Sequence, residues 1–262
     1  MPPVKGCEVL KRGSGEGPVK AALLESLRVG GGIDPRRSVV ISELAVLGHG
    51  RRADLVILKG DSHCIEIKTN RDSLARLDDQ LAAYSSVFDR VSVVCGAKHA
   101  NAVLSRVQPH VGVIEILEFG ERMEFVTHKE PGRSPSLDAA AIIASMPVVF
   151  LRALGSSGAR ARRDDLALEA TALPLDRVSA SFKAYLKERY RPTSRAFFAN
   201  TRRRHIKADD LNTLRAWASE TSNSPLQQVV PTRDTDWETF RSIGASFGPV
   251  PDDILASFLQ EP

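Results

Sequence analysis

Three β-branched runs follow one another with almost nothing between them. They are Ser38-Val39-Val40-Ile41-Ser42-Glu43-Leu44, Asp54-Leu55-Val56-Ile57-Leu58 and Cys64-Ile65-Glu66-Ile67-Lys68, separated by Gly48-His49-Gly50 and by Lys59-Gly60-Asp61-Ser62. Connections this short cannot carry a crossover helix, so neighbouring runs must pair antiparallel, as two hairpins. Helical signals flank them. Upstream, Pro18 opens a run of good helix formers that ends before Gly30-Gly31-Gly32, the Pro-in, Gly-out punctuation of a helix. Downstream, Asp72 is placed to cap a helix from Ser73 to about Phe88, with Leu74, Leu77, Leu81, Tyr84 and Phe88 at helical spacing. The run Val91-Ser92-Val93-Val94-Cys95 reads as a buried strand, followed by a helix over about 98–107 and strands near 111–117 and 122–127. The order predicts an α/β fold, a mixed sheet flanked by helices.

Segment 128–135 has the Pro, Gly and charge content of a linker. It suggests a first domain over 1–130 and a second over 137–262. The second reads as mainly helical, with helices at 138–154, about 164–171, 175–190 and 208–218. Charge is uneven along the chain. Residues 151–215 hold 15 basic and 7 acidic side chains, whereas 216–262 hold 2 basic and 7 acidic. So basic a segment points to a polyanionic partner, nucleic acid above all, with DNA favoured. Arg202, Arg203, Arg204 and Lys207 form one basic run after Arg195-Ala196-Phe197-Phe198, and Arg160-Ala161-Arg162-Arg163 forms another. Lys183, Lys187 and Arg191 recur along one helical face. Arg51 and Arg52, after Gly48-His49-Gly50, are further candidates for phosphate contact.

Four charged residues interrupt otherwise apolar strands: Glu43, Asp54, Glu66 and Lys68. A buried lone charge costs several kcal/mol, so these side chains need partners. A two-residue Gly48-His49 loop sets Glu43 opposite Asp54, and a three-residue Gly60-Asp61-Ser62 loop sets Asp54 opposite Lys68 and diagonal to Glu66. Three carboxylates and one amine then converge, while Ile65 and Ile67 face the other side. Clustered carboxylates repel unless a cation lies among them, and oxygen ligands suit Mg2+ or Mn2+.

Ala53-Asp54, then eleven residues, then Glu66-Ile67-Lys68 resembles the signature of the PD-(D/E)XK nuclease superfamily, with Ala53 in place of the proline. Gln80-Leu81-Ala82-Ala83-Tyr84 is similar to the Gln-x-x-x-Tyr pattern of its RecB-like branch. The resemblance implies a restriction-endonuclease-like αβββαβ core. It also implies a Mg2+-dependent deoxyribonuclease acting in repair, recombination or defence. Metal would be held by Asp54, Glu66, the Ile67 carbonyl and Glu43. Lys68 would assist the attacking water, and Gln80 and Tyr84 would steady the substrate phosphate. The rival expectation is a DNA-binding or partner-binding protein on a nuclease-derived fold that does not cut, with a protein partner or a homodimer left open.

No stretch approaches the ~18 apolar residues of a spanning helix, and the first residues lack the apolar core of a signal peptide. A cytoplasmic protein with no membrane partner is the expectation. Cys7, Cys64 and Cys95 form no paired framework, and Cys64 and Cys95 read as small core residues. His63 and His99 read as surface or packing residues.

Overall fold

The computed structural model describes residues 15–46, 50–120, 122–154 and 161–214. Gly48 and His49, Cys7, Arg160 and the acidic segment 216–262 lie outside them. The elements run α1 (Glu16–Val29), β1 (Val39–Val46), β2 (Arg51–Lys59), β3 (Asp61–Lys68), α2 (Leu77–Ser85), β4 (Arg90–Gly96), α3 (Ala97–Arg106), β5 (Gly112–Phe119), β6 (Arg122–Lys129), α4 (Ala139–Ala144), α5 (Val148–Leu154), α6 (Arg163–Thr171) and α7 (Leu175–Thr201). A 3₁₀ turn, Ala208–Asp210, follows. The six strands form one mixed sheet in the order of the chain. Pairing is antiparallel for β1/β2, β2/β3 and β5/β6, and parallel for β3/β4 and β4/β5. Both expected hairpins are present. Among the described residues no helix is long and apolar enough to cross a membrane.

Four expected boundaries move, the first two for an evident local reason. The helix after β3 begins only at Leu77, because the Asp72 carboxylate does not cap it. Asp72 Oδ2 instead accepts from the Thr69 N–H and hydroxyl, both at 2.7 Å, which closes a tight turn. The expected helix over 138–154 divides into α4 and α5 at Pro147, which has no N–H to donate. Asp138 caps the first piece by accepting from the Ala140 and Ala141 N–H groups. Conversely, α7 continues past residue 190 to Thr201 with Pro192 inside it. His128 and Lys129, expected in the linker, are the last residues of β6.

Each face of the sheet carries its own apolar cluster. One joins Val39, Ile41, Val56, Leu58, Cys64 and Val93 to Leu81, Tyr84 and Phe88 of the α2 region and to Ile142, Leu151, Val178 and Phe182 of α4, α5 and α7. The other joins Val40, Leu55, Ile57, Ile65 and Ile67 to Val19, Leu23 and Leu24 of α1 and to Phe197, Phe198 and Ile206. Thus α7, about 40 Å long at 1.5 Å per residue, begins on one face and ends on the other. It runs past the edge strand β1, where the Ser194 hydroxyl accepts from the Val40 N–H at 3.0 Å. That contact satisfies an edge group a second molecule could otherwise pair with.

The two-residue alternation of β1 and β2 breaks at one shared rung. Val39 and Ile41 lie in the same cluster as Leu44 and Val46, and Val56 and Leu58 in the same cluster as Ala53. Each strand therefore switches parity between these pairs. The flanking partners Ser42↔Leu55 and Leu44↔Ala53 bracket Glu43 and Asp54, which are not themselves a ladder pair. Glu43 has φ 61°, the left-handed region that a non-glycine residue enters only when its surroundings hold it there.

Candidate functional site

The charged strand residues do converge: the β1/β2 register is the expected one, and the β2/β3 register differs from expectation by two residues. Only Gly60, at φ 85°, separates Lys59 from its partner Asp61. The β2/β3 pairs run Leu55↔Ile65 and Val56↔Cys64. Continued by one rung, this register sets Asp54 across from Glu66, where the longer loop had placed Lys68. A slip of two residues keeps every side chain on its own face, so the convergence survives the error.

Asp54 Oδ2 accepts the Ile67 N–H at 2.7 Å. Burial, and next the nearby Glu66 carboxylate, push the Asp54 carboxyl up to about 8. Glu66 is 2 % exposed. Its Oε1 accepts from Lys68 Nζ and from Gln80 Nε2, both at 2.6 Å, while its Oε2 has no hydrogen-bond partner among the described residues. Gln80 thus reaches the site as its position on α2 suggested. Tyr84 is buried in the core, its hydroxyl donating to the Arg52 carbonyl at 2.8 Å. Burial, and next Glu66, raise its pKa. Tyr84 thus braces α2 against β2 beside the Glu66 carboxylate.

Two residues that strand patterns could not supply, Glu16 and Lys20, complete the cluster, and both come from α1. Lys20 is fully buried, and its ammonium is bonded to Glu16 and Glu43 and lies 3.7 Å from Asp54 Oδ1. Arg52 Nε reaches the other Glu43 oxygen at 2.5 Å. Glu16, Glu43 and Asp54 can bring one oxygen each within 4.8 Å of one another, a spacing suited to a cation. The Lys20 ammonium already lies among them. The positive charge such a donor set calls for is thus supplied, at least in part, by a side chain of the chain itself. One signal in the sequence marked Lys20: it is a charged residue inside the apolar stretch Val19–Leu24, four residues after Glu16.

The basic residues divide into those committed to the fold and those facing outward. Lys183 Nζ pairs with the fully buried Asp89 at 3.0 Å, so it is not part of an open cationic stripe. Burial works against Asp89 ionising, but hydrogen bonds from Ser62 and the Lys183 contact hold its carboxyl below the usual range. Arg204 grips Asp210 with both terminal nitrogens, at 2.7 and 2.6 Å, and the Lys207 N–H caps the same carboxylate. Arg51 approaches Asp79 at 3.5 Å. Lys187 is half-buried, and Arg202 and Arg203 are exposed.

At the end of α7 the arginines gather around a cleft of about 400 Å³ lined by Arg28, Asp34, Pro35, Arg36, Arg195, Phe198, Ala199 and Arg202. Arg36, Arg195 and Arg202 are exposed. Arg28 is held in place, donating to the Thr201 carbonyl at 2.7 Å and the Arg204 carbonyl at 2.9 Å, and pairing with Glu25 at 2.5 Å. Arg195 and Phe198 belonged to a segment that the sequence marked. Arg28 and Arg36 were missed because they arrive from a helix and loop more than 150 residues earlier.

Of the remaining candidates, Cys64 and Cys95 are free and buried in the core. Burial pushes the Cys95 thiol up to about 12. His63 bonds Ser92 Oγ through Nε2 at 2.8 Å, and His99 is buried on α3. These are packing residues.

A family model described as Bacteriophage P4 protein cII matches residues 11–215. Protein cII of Enterobacteria phage P4 is 31 % identical over 186 residues, covering 69 % of this chain and 70 % of that protein. No solved structure matches the chain. Both matches point to cII and not to the PD-(D/E)XK superfamily. They overturn that assignment, and with it the reading of the chain as a nuclease, hydrolase or Mg2+-dependent deoxyribonuclease. The family match spans the sheet with its charged rung and the arginine-lined end of α7 alike, so one ancestry accounts for both features: the chain belongs to the bacteriophage P4 protein cII family.

Proposed function

We propose that this protein binds DNA through the phosphate backbone, without cutting it, on the arginine-lined face where α1, residues 33–37 and the end of α7 meet. The observation that carries this reading is the cleft itself. Four guanidinium groups, from Arg28, Arg36, Arg195 and Arg202, border one concavity with a single carboxylate, Asp34, among them. Guanidinium is the side chain best matched to phosphate oxygens, because its planar fork donates two parallel hydrogen bonds. Arg203 lies exposed beside this face, and the surplus of basic residues in 151–215 supplies the longer-range field that draws a polyanion in. The contacts are of the kind that position a duplex, and they carry no base readout.

Fluorescence anisotropy with labelled duplex DNA tests the proposal. Binding should weaken steeply with salt, at about 0.9 in log K per log salt for each phosphate neutralised. The double variant Arg195→Ala/Arg202→Ala should bind weakly and lose about 1.8 from that slope, two contacts' worth. The labelled DNA should remain intact throughout, with Mg2+ present. A folded double variant with unchanged affinity and unchanged slope refutes this face as the interface.

A further inference from the structure

We propose that Lys20 is a resident counter-ion that closes the acidic pocket to divalent metal ions. The pocket has the elements of a cation site. Glu16, Glu43 and Asp54 each direct an oxygen to one small region, and Glu66 continues the charge across β3 with one oxygen lacking a hydrogen-bond partner among the described residues. A divalent ion would need to approach such oxygens to about 2.0–2.6 Å, depending on its size. The Lys20 ammonium holds that ground. It bonds Glu16 and Glu43 directly and stands 3.7 Å from Asp54. An ion entering among the same oxygens would sit directly against a like charge, with only the Glu16 carboxylate open to solvent to screen the two, and both could not remain.

Lys20 also cannot step aside. Its side chain is fully buried, and it rises from a helix whose neighbouring Val19, Leu23 and Leu24 are core residues. The same helix is clamped at its far end by the two hydrogen bonds from Arg28 to the Thr201 and Arg204 carbonyls. Glu43 is held from both sides, by Lys20 on one oxygen and Arg52 on the other. Its left-handed backbone aims it there. Glu66 is occupied in turn by Lys68 and Gln80. Closure is therefore a property of the packed fold, and it stands independently of the proposed DNA interface.

The test is Mn2+ binding to the purified full chain, read from the loss of the free Mn2+ signal in electron paramagnetic resonance. Wild type should show no component that Asp54→Asn removes. Lys20→Met keeps the unbranched stem while deleting the charge, and it should gain one Mn2+ per chain. That ion should be lost again in Lys20→Met/Asp54→Asn. Wild-type binding that Asp54→Asn abolishes overturns the proposal, and so does a folded Lys20→Met chain that binds no more Mn2+ than wild type. If Lys20→Met does not fold, Lys20→Gln takes its place, and the comparison of wild type with Asp54→Asn decides on its own.

Discussion

Asp54 makes the charged rung measurable in stability rather than in binding. Its carboxyl titrates at about 8 in the folded chain against 3.8 for an ordinary aspartate, chiefly because it is buried and faces Glu66. The unfolded chain has therefore surrendered this proton well below neutrality while the folded chain still holds it. Wherever the folded state binds more protons, stability falls as pH rises. The loss begins near the unfolded value and is complete once pH passes the folded one. Each pH unit inside that window costs about 1.36 kcal/mol, so between about pH 6 and pH 8 the wild type should lose about 2 kcal/mol from this one group, allowing for partial ionisation at the upper end. Asp54→Asn removes the titration and keeps an acceptor for the Ile67 N–H. Below about pH 8 the wild-type side chain is itself neutral, so the amide meets Lys20 much as the protonated carboxyl does, and the attraction of Lys20 for the ionised form is already contained in the folded value. Urea denaturation followed by circular dichroism should thus show the variant gaining on wild type by about 2 kcal/mol from about pH 6 to pH 8. A difference flat to within about 0.5 kcal/mol would mean that Asp54 ionises as an exposed carboxylate does, and that Glu66 and burial do not act on it as described.

His63 should give the opposite slope. Burial, and next Arg90, bring its imidazole down to about 4 from 6.5. Between those values the unfolded chain takes up a proton that the folded chain refuses, and stability falls as acid is added. His63→Gln should remove that contribution, so its denaturation midpoint should decline from about pH 4 upward where the wild type is nearly level; equal profiles for the two proteins exclude the assignment. Ser194→Ala strips the acceptor from the Val40 N–H at the β1 edge. An unpaired buried donor costs about 1–3 kcal/mol, to be read as a lower urea midpoint with an unchanged slope, and a variant as stable as wild type would show that another acceptor serves Val40.

Much of the fold was legible because it is written in short-range patterns. Two loops of a few residues forced two hairpins, and alternation assigned Ile65 and Ile67 to the face away from Glu66, as observed. Boundaries were less legible where one side chain had two uses. Asp72 is a good helix cap by residue type, yet it closes the turn at Thr69. Nothing local says which use wins, since each satisfies backbone or hydroxyl donors at similar gain. The β2/β3 register was misjudged because Gly60 alone makes the turn, but a two-residue slip is silent as to face. The ion pair of Lys183 was illegible for a different reason. A helical stripe of cations looks open to solvent in sequence, and its buried partner Asp89 lies 94 residues away along the chain.

The charged rung shows where a motif stops being informative. Asp54, Glu66 and Lys68 occupy the spacing of a metal site, and the strands do bring two carboxylates side by side with a third nearby. Such a cluster requires positive charge, and that requirement is all the spacing expresses. An ion from solution meets it, and so does an ammonium delivered by another helix. The choice between them rests on residues outside the motif: Glu16 and Lys20, one turn apart on α1, and the arginine clamp that fixes that helix against the end of α7. Here the positive charge is covalent. The same clamp that holds Lys20 in the acidic pocket also positions Arg28 beside the outward-facing arginines. One helix therefore brings a cation to the acidic cluster at its start and a cation to the basic cleft at its end.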